Sequence, residues 1–199
     1  MNPSSAAALA PLRQFIAAMT QLVGRTDDEP TLLREGRVLL AALLADDAWL
    51  PAACAEARPD RYAQYLLHCD PLERFSVVSF VWGPGQHTPV HDHTVWGLVG
   101  VLRGCEACEE YVLDAAQRPV PAQRTHQMPR HAIEAVSPTV GDWHRVRNAL
   151  ADQASVSIHV YGGNIGAIQR HRLDDAGQVT GFVSGYDNPQ VPNLWDRSR

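Results

Sequence analysis

The chain has 199 residues, 45% hydrophobic and 20% charged, with a formal charge of −5, enough for one domain with a sizeable core. No basic patch suits nucleic acid, and no apolar run approaches the ~18 residues that span a membrane. All 17 cationic side chains are arginine, which excludes a Schiff-base lysine, covalent pyridoxal phosphate and a Walker lysine together.

The apolar N-terminus has no basic leader and is interrupted by Arg13 and Gln14, so it does not read as a secretory signal. Four cysteines (Cys54, Cys69, Cys105 and Cys108) in such a chain point to a reducing cytoplasm. Residues 5–23 set Leu9, Leu12, Ile16, Met19 and Val23 at helical spacing. Asp27, Asp28, Glu29 and Pro30 open a second helix running to about Leu44. Asp46 and Asp47 are expected to start a third, shorter helix through Ala57. The helical segment, 1–58, is expected to cover one edge or face of the sheet that follows.

From Arg61 the pattern changes. Residues 62–68, 75–82, 96–103, 107–113, 127–129, 133–136, 144–147 and 156–161 read as short strands between turn residues. That spacing predicts a mainly β fold, an antiparallel barrel or jelly roll over 59–180. Residues 114–126 read as an exposed loop. The tail, 181–199, holds Tyr186 and Trp195 and is expected to pack back over the barrel mouth. Cys105-x-x-Cys108 has no second CxxC to complete a zinc site, and it reads as inert thiols on a hairpin.

Three stretches carry chemistry. Residues 85–104 contain His91-Asp92-His93 in a strand-like segment, where residues i and i+2 face the same way. Two imidazoles roughly 7 Å apart along a strand can converge on one metal ion, while Asp92 faces the opposite side. Residues 138–148 run Pro-x-x-Gly-x-x-His, a turn leading into a strand that bears His144, with Asn148 following. Ser157, His159 and Tyr161 stand at i, i+2 and i+4 of a third strand, so a hydroxyl, an imidazole and a phenol share one face. The alternative for that stretch is a polar strand face turned to water.

The first two stretches resemble the paired motifs of the cupin superfamily, with departures. Gly97 takes the place of the acidic ligand, and Ala132 that of the second motif's leading glycine. An acid-free three-histidine site followed by Ser-x-His-x-Tyr is similar to the thiol dioxygenases, the family of cysteine dioxygenase and 3-mercaptopropionate dioxygenase. The resemblance covers most of the chain from about Arg61 through the PNLWD at 192–196. It implies a cupin barrel with the N-terminal helices packed on it, and Fe(II) bound by His91, His93 and His144. It also implies a catalytic triad of Ser157, His159 and Tyr161 beside the metal, acting on a small thiol and dioxygen to give a sulfinic acid.

Gln64 stands where animal-type cysteine dioxygenases carry a substrate arginine, and residues 94–98 hold no cysteine to cross-link the tyrosine. Both features resemble the glutamine-type bacterial branch, which generally prefers 3-mercaptopropionate. That branch places a substrate arginine after the triad strand, and Arg170 matches it. Three neutral imidazoles leave Fe(II) at net +2, a charge that favours an anionic thiolate. Zinc also accepts three histidines. L-cysteine dioxygenase, a metal- or ligand-binding cupin without turnover, and a zinc hydrolase or isomerase are the competing readings.

Overall fold

The computed structural model describes residues 8–188. Residues 5–7 of the first predicted helix, and the 192–196 segment with Trp195, lie outside the described residues.

Both opening helices begin where local chemistry favours them. Helix α1 (Ala10–Arg25) carries Pro11 in its first turn, where the missing N–H has no intrahelical partner to lose. Helix α2 (Glu29–Leu44) is capped by Asp28, whose carboxylate accepts the Thr31 N–H at 3.0 Å. The third helix expected over 46–57 does not form. Only one 3₁₀ turn, Ala52–Cys54, follows. The buried Trp49 donates its indole N–H to the Leu43 carbonyl at 2.9 Å, folding the chain back over the end of α2. Pro51, with no N–H to give, bars continuation from there.

Among the described residues ten strands follow: β1 (Ala63–Cys69), β2 (Ser76–Trp82), β3 (Gly97–Arg103), β4 (Cys105–Leu113), β5 (Pro119–Pro129), β6 (Ile133–Val136), β7 (His144–Asn148), β8 (Ser155–Tyr161), β9 (Arg170–Leu173) and β10 (Val179–Phe182). One sheet has the order β1-β2-β8-β3-β6, a second β5-β4-β7, and β9 with β10 forms a two-stranded ribbon. Every pairing is antiparallel. The protein is mainly β, with the antiparallel pairing that the strand spacing predicts.

The expected loop over 114–126 is a correction. Only a tight turn spans 114–118, where Gln117 N and Asp114 O bond at 2.9 Å. Strand β5 then runs on despite Pro119, Pro121 and Pro129. It is an edge strand bonded on one side to β4, so three missing N–H groups do not break a central ladder. Strands β9 and β10, the two-stranded ribbon, are additional to the strands that the sequence pattern predicts.

The core follows from alternation. On β8, Val156, Ile158 and Val160 face the helices and pack with Met19, Leu40 and Leu44. Their neighbours Ser157, His159 and Tyr161 face the barrel interior. Helix α2 sits so close to β3 that a Cβ on Gly100 would meet Leu44 Cδ1 at 2.5 Å. Truncating Leu40, which is fully buried, to alanine should cost about 2–5 kcal/mol. The helices therefore back the sheet, and its inner face is left to the site.

Candidate metal centre and active site

His91 and His144 are brought together by backbone pairing. Each donates its N–H to the other's carbonyl at 3.0 Å, the reciprocal pair of an antiparallel ladder. His93 is fixed by Asp142, whose carboxylate accepts the His93 N–H at 2.8 Å, the His93 Nδ1–H at 2.9 Å and the Thr94 N–H at 3.0 Å. The three rings have centroids 4.8–4.9 Å apart, and a ligand nitrogen from each lies within 4.8 Å of the others.

Each ring turns Nδ1 outward. His91 Nδ1 bonds Pro89 O at 3.1 Å, His93 Nδ1 bonds Asp142, and His144 Nδ1 faces Cys108 Sγ at 3.6 Å. Outward Nδ1–H bonds leave the three Nε2 lone pairs for one ion. Burial holds His91 and His144 well below the ordinary imidazole pKa, so both are neutral and available as ligands. The residues fit a three-coordinate metal site. Asp92 is spent elsewhere, accepting the N–H of His171 at 2.6 Å and its Nδ1–H at 2.8 Å.

Beside the rings, the Ser-His-Tyr face is a continuous chain. Ser157 Oγ lies 2.8 Å from His159 Nε2, and His159 Nδ1 lies 2.7 Å from Tyr161 Oη. All three are buried, which removes the alternative of a polar face turned to water. His159 stacks on Phe80 at 4.1 Å between centroids, and Tyr161 stacks on His93 at 5.5 Å. Burial keeps His159 neutral and pushes the Tyr161 phenol well above its usual pKa, so Tyr161 keeps its proton. Gly97 explains the missing acid and cysteine: a Cβ there would lie 2.7 Å from Tyr161 Cδ1.

These groups line a cavity of about 450 Å³. Its far wall holds Arg170, which is 3% exposed. Strand β9 reaches that place because Leu173 N–H bonds Val90 O at 2.9 Å and Asp92 N–H bonds His171 O at 3.0 Å. Arg170 Nη2 donates to Ser184 Oγ at 2.6 Å, and its guanidinium lies 4.6 Å from the Phe182 ring centroid. Its buried Nε has no hydrogen-bond partner, and no carboxylate among the described residues forms an ion pair with it. Desolvation pulls its pKa below the ordinary value. Gln64 also lines the cavity, with one amide N–H given to the Gly185 carbonyl.

Sequence reasoning missed several supports. Asp142, Cys108 and Ser184 act through contacts distant in sequence. Tyr62 lines the cavity in a stack on Trp82 at 4.9 Å. Asp187 ties the tail to β1 through Arg58, Arg61 and the Gln64 N–H, and residues 182–184 thereby close one side of the cavity. Cys105 and Cys108, three apart on one strand, face opposite ways, and no two of the four cysteines are joined in a disulfide.

A cupin barrel enclosing three convergent imidazoles and no carboxylate ligand is thus the class of protein that fold and site define. The chain belongs to the cysteine dioxygenase type I family, whose profile matches residues 5–173. Solved structures similar in fold include one from Thermus thermophilus, 18% identical over 56% of this chain and 92% of that one, with a TM-score of 0.44. A cupin 2 domain-containing protein from Halorhodospira halophila is 17% identical over 61% of this chain and 77% of that one, TM-score 0.45. Among the described residues no helix is long and apolar enough to cross a membrane.

Proposed function

We propose that this protein is an Fe(II)-dependent thiol dioxygenase that converts a short thiol carboxylate and dioxygen into the corresponding sulfinic acid, with 3-mercaptopropionate preferred over cysteine. The observation that carries the reading is Arg170: a buried guanidinium with an unpartnered Nε and no ion pair among the described residues, in the same cavity as three acid-free histidines. A desolvated cation without an internal counter-ion needs an anionic ligand to offset its burial. A carboxylate at Arg170, with its thiol toward His91, His93 and His144, meets that need.

A metal held by His91, His93 and His144 would supply the redox chemistry that joins thiolate and dioxygen. The rest falls to the chain's own residues. Arg170 presents its unpartnered Nε–H and the guanidinium hydrogens that Ser184 leaves free to the substrate carboxylate. Phe80, Trp82, Tyr62 and Val146 make apolar walls that limit water in the cavity. Tyr161 presents a protonated hydroxyl beside the three histidines, held by His159 and Ser157. Gln64 adds a neutral polar contact without a second positive charge. A cysteine ammonium would stand near Arg170 and the metal, and like charges disfavour it. Both oxygen atoms enter the product, R–SH + O2 giving R–SO2H, so no external reductant is consumed. Thiols free of disulfides support a reducing, cytoplasmic setting.

The family's description favours L-cysteine as the competing substrate. Measuring kcat/KM for both thiols, with sulfinate quantified, decides between them. A wild-type preference for cysteine overturns the substrate assignment.

A further inference from the structure

No second Cys-x-x-Cys exists to partner Cys108, and the fold supplies other donors for it. On β4 it stands directly opposite His126 of β5 in the ladder, so the two side chains share a face. Strand β6, at the edge of the other sheet, brings Glu134 to the same spot, where His126 Nε2 meets Glu134 Oε1. Cys108 Sγ, one ring nitrogen of His126 and a Glu134 oxygen all lie within 4.8 Å of one another, a separation within which His91, His93 and His144 also fall.

The surroundings favour a cation. His126 Nδ1 is buried and has no hydrogen-bond partner, and Glu110 Oε1 stands 3.6 Å from it. Arg124 pairs with Glu110 at 3.3 Å. That leaves Glu134 with no ion-pair partner but His126 among the described residues. Cys108, Glu110 and Glu134 line a cavity of about 360 Å³, and His144 lines both this cavity and the one that holds Arg170. Cys108 Sγ lies 3.6 Å from His144 Nδ1, so the two clusters stand back to back and share no ligand.

We propose that Cys108, His126 and Glu134 form a second divalent-metal site, for zinc or an ion of similar softness, with Glu110 orienting His126 from behind. Thiolate, imidazole and carboxylate are zinc's own donor set, and the sulfur selects against magnesium and calcium. Bonds of about 2.0–2.3 Å set tetrahedral donors roughly 3.5 Å apart. Closing the site therefore takes movements of about 1 Å, which the partly exposed His126 and Glu134 side chains can make. With the ion on Nε2, the Nδ1–H turns to Glu110, the outer carboxylate that commonly orients a ligating histidine. Burial, with the carboxylates of Glu134 and Glu110 beside it, keeps the Cys108 thiol protonated until an ion arrives. Binding forms the metal–sulfur bond and releases that one proton to solvent, with no change of oxidation state. The fourth position is left for water from the cavity.

The test is a titration of the metal-free full chain with Co(II) in buffer without added thiol. Cobalt occupies zinc's tetrahedral sites and reports a thiolate ligand by a near-ultraviolet charge-transfer band, which three imidazoles cannot produce. Wild type should bind two equivalents, one of them raising the band, and added zinc should abolish it. Cys108→Ser and His126→Ala should each bind a single equivalent and lack the band. His93→Ala should lose the other equivalent and keep the band. His126 is partly exposed, so its variant serves even where Cys108→Ser disturbs the buried strand. The band needs no turnover and stands or falls apart from the thiol dioxygenase reading. A single equivalent in wild type, no thiolate band, or a band of full strength in Cys108→Ser or His126→Ala overturns the proposal.

Discussion

Arg170→Ala should separate catalysis from stability in opposite directions. Nη2 gives one of its two hydrogens to Ser184, which leaves the Nε–H and the remaining Nη hydrogens for a substrate carboxylate. Losing a charge-assisted contact of this kind costs roughly 1.5–3 kcal/mol, which is about a 10- to 150-fold fall in kcat/KM. The upper half of that range is expected, because Arg170 is 3% exposed and water cannot replace it. The folded protein loses one hydrogen bond to Ser184 and a cation–π contact with Phe182 worth about 0.5–2 kcal/mol. It is also relieved of a buried, ion-unpaired cation. The melting temperature without thiol should therefore hold or rise. The assay is oxygen uptake with 3-mercaptopropionate and with 2-mercaptoethanol, which lacks the carboxylate, for wild type, Arg170→Ala and Arg170→Lys. Discrimination between the two thiols should collapse in the alanine variant and recover only in part with lysine, whose point charge lacks the fork. Equal losses on both thiols, or a sharp drop in melting temperature, would refute the reasoning and make Arg170 a structural residue.

Tyr161→Phe should lower kcat by about 10²–10⁴-fold, the worth of a positioned proton-transfer group, with metal content unchanged. Asp142→Asn replaces the carboxylate that accepts three N–H groups around His93; metal affinity, read by competition with a chelator, should weaken about 10–100-fold. Gly97→Ala forces a methyl to within 2.7 Å of the Tyr161 ring; turnover should drop by up to about 10² as the phenol shifts, while metal analysis stays at the wild-type value. Glu106 also predicts a pH dependence of stability. Its folded pKa of about 8 lies above the ordinary 4.5, so its contribution is fully present below 4.5 and is lost as pH rises through 8. Glu106→Gln should accordingly gain melting temperature relative to wild type as pH climbs across that window, and a constant difference would contradict the assignment.

What was legible in the sequence was what has a local period. Strand alternation set Ser157, His159 and Tyr161 on one face and Val156, Ile158 and Val160 on the other, and the structure agrees. The two cupin-like stretches pointed to His91, His93 and His144, which the fold brings within ligand distance of one another. The third helix failed because Asp46 and Asp47 look like a start, while what decides is Trp49 docking on Leu43. Strand β5 was missed because a strand with three prolines is tolerated only at a sheet edge, a place that the local sequence does not reveal. Glu106 sits in an alternating polar strand that looks solvent-facing, and only the closing of the two sheets buries it. Asp142 and Ser184 do their work across 49 and 14 residues of sequence, distances over which no periodicity runs.

Metal-dependent thiol oxidation is tested most directly by loading metal-free protein anaerobically with Fe(II) or Zn(II), then measuring bound metal, oxygen uptake and sulfinate with 3-mercaptopropionate and cysteine. The iron form should consume oxygen in step with sulfinate and turn over 3-mercaptopropionate with the higher kcat/KM, while the zinc form stays inert. Equal turnover by the zinc form, or no sulfinate from an iron-loaded protein with either thiol, would contradict it.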